Sequence, residues 1–151
     1  MDPADPQDPA ELLSDLADRV PEVRHALVVS ADGVALAASG PALSGSALSD
    51  SALSGDLERL AAITSSLISL AAGAAAVSGN GPVTQAVVVM EHGTFVIMAV
   101  DEGASLAVLT TADADLDQVA YEMTMLVVRS ATALTAPARR DPAPRSQCDE
   151  P

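Results

Sequence analysis

The chain has 151 residues, with 21 Asp and Glu against seven Arg and no Lys, for a formal net charge of −14. Such a balance repels nucleic-acid phosphates, so no nucleic-acid partner is expected. Although 49% of residues are hydrophobic, the only aromatics are Phe95 and Tyr121, so the core must be assembled from small aliphatic side chains that each bury modest area.

Residues 1–8 set Pro3 and Pro6 among Asp and read as a disordered acidic tail, without the basic start and apolar stretch of a signal peptide. A folded domain is expected over 9–135. Asp8-Pro9-Ala10-Glu11 then opens a helix: an N-cap acceptor, Pro at the first helical position and an acid in the first turn. Leu12, Leu13, Leu16 and Val20 recur at helical spacing as its buried face, with Asp15, Asp18 and Arg19 facing water, and Pro21 stops it.

The next segment, His25 to Ala38, is two apolar runs joined by Asp32-Gly33. Asp-Gly accepts the positive φ angles of a two-residue type I′ turn, which predicts a β-hairpin. Residues 42–55 repeat Ser-Ala-Leu-Ser with Gly and Asp, which reads as an expanded low-complexity loop. From Asp56 to Val77 the pattern is helical, capped by Asp56 or Ser54 and ended by Gly79-Asn80-Gly81-Pro82. Leu60, Ile63, Leu67, Leu70 and Val77 form one stripe, and Ala61, Ile68, Ala72 and Ala75 keep the other side small and apolar. Two faces of this helix want burial. A membrane span is weighed and set aside, because Thr64, Ser65, Ser66, Ser69 and Gly73 interrupt the run and no basic flank orients it.

Three apolar runs follow, Thr84–Met90, Thr94–Val100 and Ala104–Thr110, separated by His92-Gly93 and Asp101-Glu102-Gly103. They predict an antiparallel meander whose continuous apolar stretches require cover on both faces. A last helix begins near Asp113 or Asp115, with Asp115 and Gln118 at capping-box spacing and Leu116, Val119, Ala120, Met123, Val127 and Leu134 as its core stripe. Tyr121, Met125 and Val128 add an apolar face off that stripe, leaving Gln118, Glu122 and Arg129 as the polar strip. Residues 136–151 carry four prolines among charges and read as a second disordered tail. Its Cys148 is the only cysteine, which excludes an internal disulfide or a cysteine metal cluster and fits a reducing cytoplasm.

Reactive constellations are sparse. Without Lys there is no phosphate loop of the nucleotide-hydrolysing type. His25 and His92 have no zinc-ligand spacing, and they read as strand-end and turn histidines. Ser30, Asp32 and His25 lie along one strand and its turn, so they cannot converge as a triad. Asp113, Asp115 and Asp117 lack the Gly and Glu of a calcium loop and are explained by helix capping. No catalytic residue, cofactor or metal is expected, and the chain is read as a non-enzyme. The arginines Arg19, Arg24, Arg59 and Arg129 are read as surface or ion-pairing residues rather than fingers acting in trans.

The order is therefore α-ββ-α-βββ-α, an α/β fold with a five-stranded antiparallel sheet and helices on both faces. With Leu12–Leu16, Val23–Ser30 followed by Asp32-Gly33, Leu106–Leu109, Asp115-Leu116 and Val119–Met123, the chain resembles the Roadblock/dynein light-chain-7 superfamily. The likeness covers about residues 10–135 and is greatest to the bacterial MglB-like branch, in particular the actinobacterial conservon members encoded beside a sensor kinase and a Ras-like GTPase. The long Ser-Ala-Leu-Ser loop and the acidic start depart from that pattern. The resemblance implies the roadblock, profilin-like layout and a homodimer in which the third strand pairs with its symmetry mate beside the long helices. Leu60, Ile63, Leu67, Val87 and Val89 are then the expected interface residues. It also implies a cytoplasmic adaptor of a Ras/MglA-like small GTPase, linked to a membrane sensor kinase system, with no membrane insertion of its own. The alternative is a small-molecule sensor domain, against which stands the shortage of aromatic and convergent polar core residues.

Overall fold

The structure, a computed structural model, describes residues 8–39, 50–100 and 103–129, with residues 50–54 described in the backbone only. Residues 1–7 of the expected acidic tail, residues 42–49 of the Ser-Ala-Leu-Ser segment, Leu134 and the tail 136–151 with Cys148 lie outside the described residues.

Eight elements follow one another: α1 (Pro9–Arg19), β1 (Val23–Val29), β2 (Ala35–Ser39), α2 (Asp50–Ser78), β3 (Gln85–Met90), β4 (Gly93–Ala99), β5 (Ser105–Thr111) and α3 (Leu116–Arg129). The five strands form one antiparallel sheet in the order β2-β1-β5-β4-β3. The expected α/β architecture is what forms. Its hairpin and meander join where β5 pairs with β1, a long-range contact, and β2 and β3 are left as the outer strands.

Strand alternation sorts the apolar runs onto two faces. Ala26 and Val28 of β1, Val96 and Met98 of β4, and Leu106 and Val108 of β5 meet α1 and α3, where Leu12, Leu13, Leu16, Val119, Met123 and Leu126 complete one buried cluster. Leu27, Val29, Phe95, Ile97 and Ala107 point to the other face and meet α2, with Ala61 buried among them. Burial on both faces is why the strand sequences are continuously apolar. Each fully buried Leu or Val is worth about 1.5–3 kcal/mol of transfer free energy.

The caps follow the local chemistry. Asp8 accepts the Ala10 N–H at 3.1 Å, with Pro9 opening α1. Asp115 accepts the N–H groups of Asp117 and Gln118 at 3.1 and 3.4 Å and so caps α3, which sets its start at Leu116. Arg19 is exposed and ion-pairing as expected, reaching Asp15 at 3.6 Å and Glu122 of α3 at 3.8 Å. Glu122 therefore leaves the outer polar strip and lies in the α1–α3 seam.

Three details differ from the expectations. The Asp32-Gly33 loop has three residues rather than two: Ser30 N–H donates to the Val34 carbonyl at 2.9 Å, and Gly33 N–H donates to the Ser30 carbonyl at 3.0 Å. Gly33, at φ +86°, holds the left-handed position that ends a three-residue hairpin loop. Asp-Gly supplies such a position in either loop, so the dipeptide signals the turn without setting its length. The two-residue loop lies instead between β3 and β4, where Met90 pairs with Gly93 across Glu91-His92. Finally, α2 begins at Asp50 rather than near Asp56, taking up the end of the Ser-Ala-Leu-Ser segment. Ala and Leu favour helix, and the roughly 1 kcal/mol cost of Gly55 is small within 29 residues.

Candidate functional site

The most unusual surface is the long helix together with the outer strand beside it. Ala61 and Thr64 of α2 are fully buried against the sheet, with Leu57, Leu60, Leu67 and Ile68 packed partly around them. Thr64 loses no hydrogen bond there, because its hydroxyl donates to the Leu60 carbonyl at 2.8 Å. Outward from this seam the helix stays apolar: Ile63 is 47% exposed, Leu70 71% and Val77 90%. The window Gly55–Ser78 is apolar and long enough to cross a membrane, and 11% of it is buried. From Leu57 to Ile68 its inner stripe lies on the sheet and one face lacks cover, whereas from Ser69 to Ser78 only Ala71 and Ala75 are even partly buried.

Strand β3 adds a second uncovered surface. It pairs only with β4, so its other edge presents free backbone donors and acceptors. Ala86 and Val88 face α2, and the alternation turns Val87 and Val89 to the opposite face, 44% and 73% exposed. An apolar edge strand without Pro or charge is a template for pairing with another chain.

The five expected interface residues therefore fall into two groups. Ile63, Val87 and Val89 are exposed, and they lie on opposite faces of the sheet around the β3 edge. Leu60 and Leu67 are half-buried on the chain's own core and form the inner border of the exposed helical stripe. Leu70 and Val77, already in that stripe, are more exposed than any helical residue chosen, a ranking that periodicity alone does not supply.

The reactive side chains stay apart. Ser30 is occupied in the turn, its oxygen accepting the Val34 N–H at 3.2 Å, whereas His25 lies about 16 Å away along β1 at 3.3 Å per residue. Asp113 accepts the Thr111 hydroxyl at 2.6 Å, and Asp115 is consumed in capping. Among the described residues no group of three His, Cys, Asp or Glu is placed to hold a metal ion. Arg24, Arg59 and Arg129 are exposed. His25 is half-buried, and desolvation first, then the neighbouring Arg24 charge, lowers its pKa below the ordinary 6.5.

Comparison with known proteins places this architecture. The model of the Roadblock/LC7 domain family matches residues 9–110. A Roadblock/LC7 domain structure from Streptomyces avermitilis is 31% identical, with a TM-score of 0.70 over 82% of this chain and 94% of that one. A second Roadblock/LC7 domain structure from Streptomyces avermitilis is 38% identical, with a TM-score of 0.58 over 80% and 95%. MglB from Myxococcus xanthus shares 13% identity at a TM-score of 0.68 over 81% and 90%, a likeness of fold. No curated protein matches the chain.

Proposed function

Because this chain belongs to the Roadblock/LC7 domain family, we propose that it is a homodimeric cytoplasmic adaptor that binds a small Ras/MglA-like GTPase in a bacterial signalling module. The observation that carries this reading is the open β3 edge lying beside the exposed apolar stripe of α2. A two-fold axis through the β3 edge makes the contact isologous, so one operation satisfies both strand edges and brings the two helices together. Val87 and Val89 then meet their counterparts on one face of the joined sheet, and Ile63, Leu70 and Val77 meet theirs on the other.

The adaptor works by binding rather than by chemistry of its own, consistent with the separation of Ser30, Asp32 and His25. It serves as a scaffold or as a GTPase-activating partner that remodels the nucleotide site, with the exposed arginines left as surface charge. Light scattering at micromolar concentration tests the dimer. Titration into a Ras/MglA-like GTPase loaded with GTP or GDP tests the partner: binding or altered turnover is expected, and the absence of both overturns the reading.

A further inference from the structure

On the side of the sheet opposite α2, two helices have five strands to cover. The ion pair from Arg19 to Glu122 marks the seam where α1 and α3 lie side by side. Thr124 stands two residues beyond Glu122, about 200° around the helix, and so occupies the flank of α3 that faces away from α1. Its hydroxyl meets the Met98 sulfur of β4 at 3.7 Å, and Met98 pairs with Gln85 of β3. The covering layer ends there. Thr94, Val96 and Met98 of β4 are buried on this face, whereas their β3 neighbours Val89, Val87 and Gln85 are exposed, and no helix among the described residues lies over them.

This strip doubles in the homodimer proposed above, and the inference rests on that reading. A two-fold axis perpendicular to the sheet keeps each face on its own side, so Val87 and Val89 of both copies form one apolar floor between the two α3 helices. Packed helices lie about 8–10 Å apart, which is about two strand spacings. Ser14 holds α1 at β2 through Ser39, so α3, one helix width further on, lies over β5 and β4. Its axis is then about 10 Å from the two-fold, the distance at which one helix packs on another. The trough is therefore one helix wide. Its length is that of β3, six residues or about 20 Å, which equals about 14 residues of helix.

Charge selects what lies in it. Met90, Gly93 and Thr111 form one row across β3, β4 and β5, so Asp113, Asp115 and Asp117, which follow β5 and open α3, share one end of the strip with Glu91. Arg129 closes α3 at the other end. The two strips run antiparallel across the axis, so each end of the trough gathers those four acids from one copy and a single Arg129 from the other. Between the ends, the valine floor and the Thr124 flank carry no charge. A further copy presents the same acids and is repelled. We propose that the trough binds one amphipathic helix of a partner protein per dimer, apolar along one face for about 14 residues and basic at both ends.

The full-length protein is titrated with a lysine-ended synthetic peptide whose central helix, of about 14 residues, carries leucine along one face and glutamine and alanine elsewhere. Calorimetry should give one peptide per two chains. The methyl resonances of Val89 and Thr124 should shift, while those of Leu70 on the α2 side stay in place. Glutamate at both ends, or the same residues in scrambled order, should weaken binding by about tenfold or more. Thr124→Arg sets a bulky cation on each wall, away from the β3 edge, and should weaken binding as much while light scattering still shows a dimer. One peptide per chain, shifts at Leu70 in place of Val89, equal binding of either control peptide, or an unaffected Thr124→Arg dimer overturns the proposal. So do Val89 shifts that arise without peptide as assemblies larger than the dimer form, because a further copy then covers the strip. A parent that scatters as a monomer overturns the dimer reading itself, whereas a dimer that takes no peptide overturns only the bound helix.

Discussion

Ser65 of α2 donates its hydroxyl to the Ala31 carbonyl at 3.1 Å, pinning the long helix to the turn of the first hairpin. Gly33, in the same turn, packs against Ala62 and Ser65. The attachment lies on the same stretch of α2 that buries Ala61 and Thr64 against the sheet, and it ties that stretch to the hairpin turn.

Removing that bond should be mild. Ser65→Ala is expected to lower stability by about 0.5–1 kcal/mol, because the site is exposed and water replaces part of the loss. Gly33→Ala should cost more than Ser65→Ala, since a φ of +86° strains any residue with a Cβ. Urea unfolding of the two variants checks the order.

Gly93 sets a sharper test of the sheet. Gly93→Ala drives a methyl group into the Thr110 carbonyl oxygen, a backbone atom that moves only if β4 and β5 separate. A loss of about 2 kcal/mol is expected, in the range for overpacking. Thermal melting that matches the parent would contradict the close approach of the two strands.

The proposed dimer is tested by charge. Val89→Lys and Leu70→Glu alter side chains that are 73% and 71% exposed, so folding of the protomer should survive. Light scattering should show monomers for either variant at concentrations where the parent is dimeric. An unchanged dimer with both substitutions combined places the interface elsewhere.

The pH dependence follows from His25. Its folded pKa is lowered, so the unfolded chain takes up a proton more readily, and the stabilisation present above pH 6.5 is lost as pH falls through the folded value. The charged groups that share a cavity with His25 are Arg24, which opposes its protonation, and the exposed Glu91. Chemical denaturation at steps from neutral pH downward should show the parent losing more stability below 6.5 than His25→Gln does.

Much of the fold was legible in the sequence because its signals are local. Asp8-Pro9 and Asp115 cap helices through atoms two or three residues away, and the valine-rich runs make strands through their own shape and burial. The helix start at Asp50 is not legible because Ser-Ala-Leu-Ser composition suits a loop, yet Ala and Leu extend a helix whose stretch from Leu57 to Ile68 is packed on the sheet. The bulge at Arg24 was invisible, since register belongs to the pairing of β1 with β5 and not to either strand alone.

The sequence by itself determined the order of elements, the surplus of apolar surface on α2 and the scarcity of reactive groups, all readable from periodicity and residue type. Tertiary structure decided which of that surface stays open, because packing on the sheet buries Ala61 and Thr64 and leaves Ile63, Leu70 and Val77 outward. It also decided that Arg24 and His25, which regular alternation would send to opposite faces, line one cavity. Contacts between residues far apart in the chain set both outcomes, and no local pattern records them.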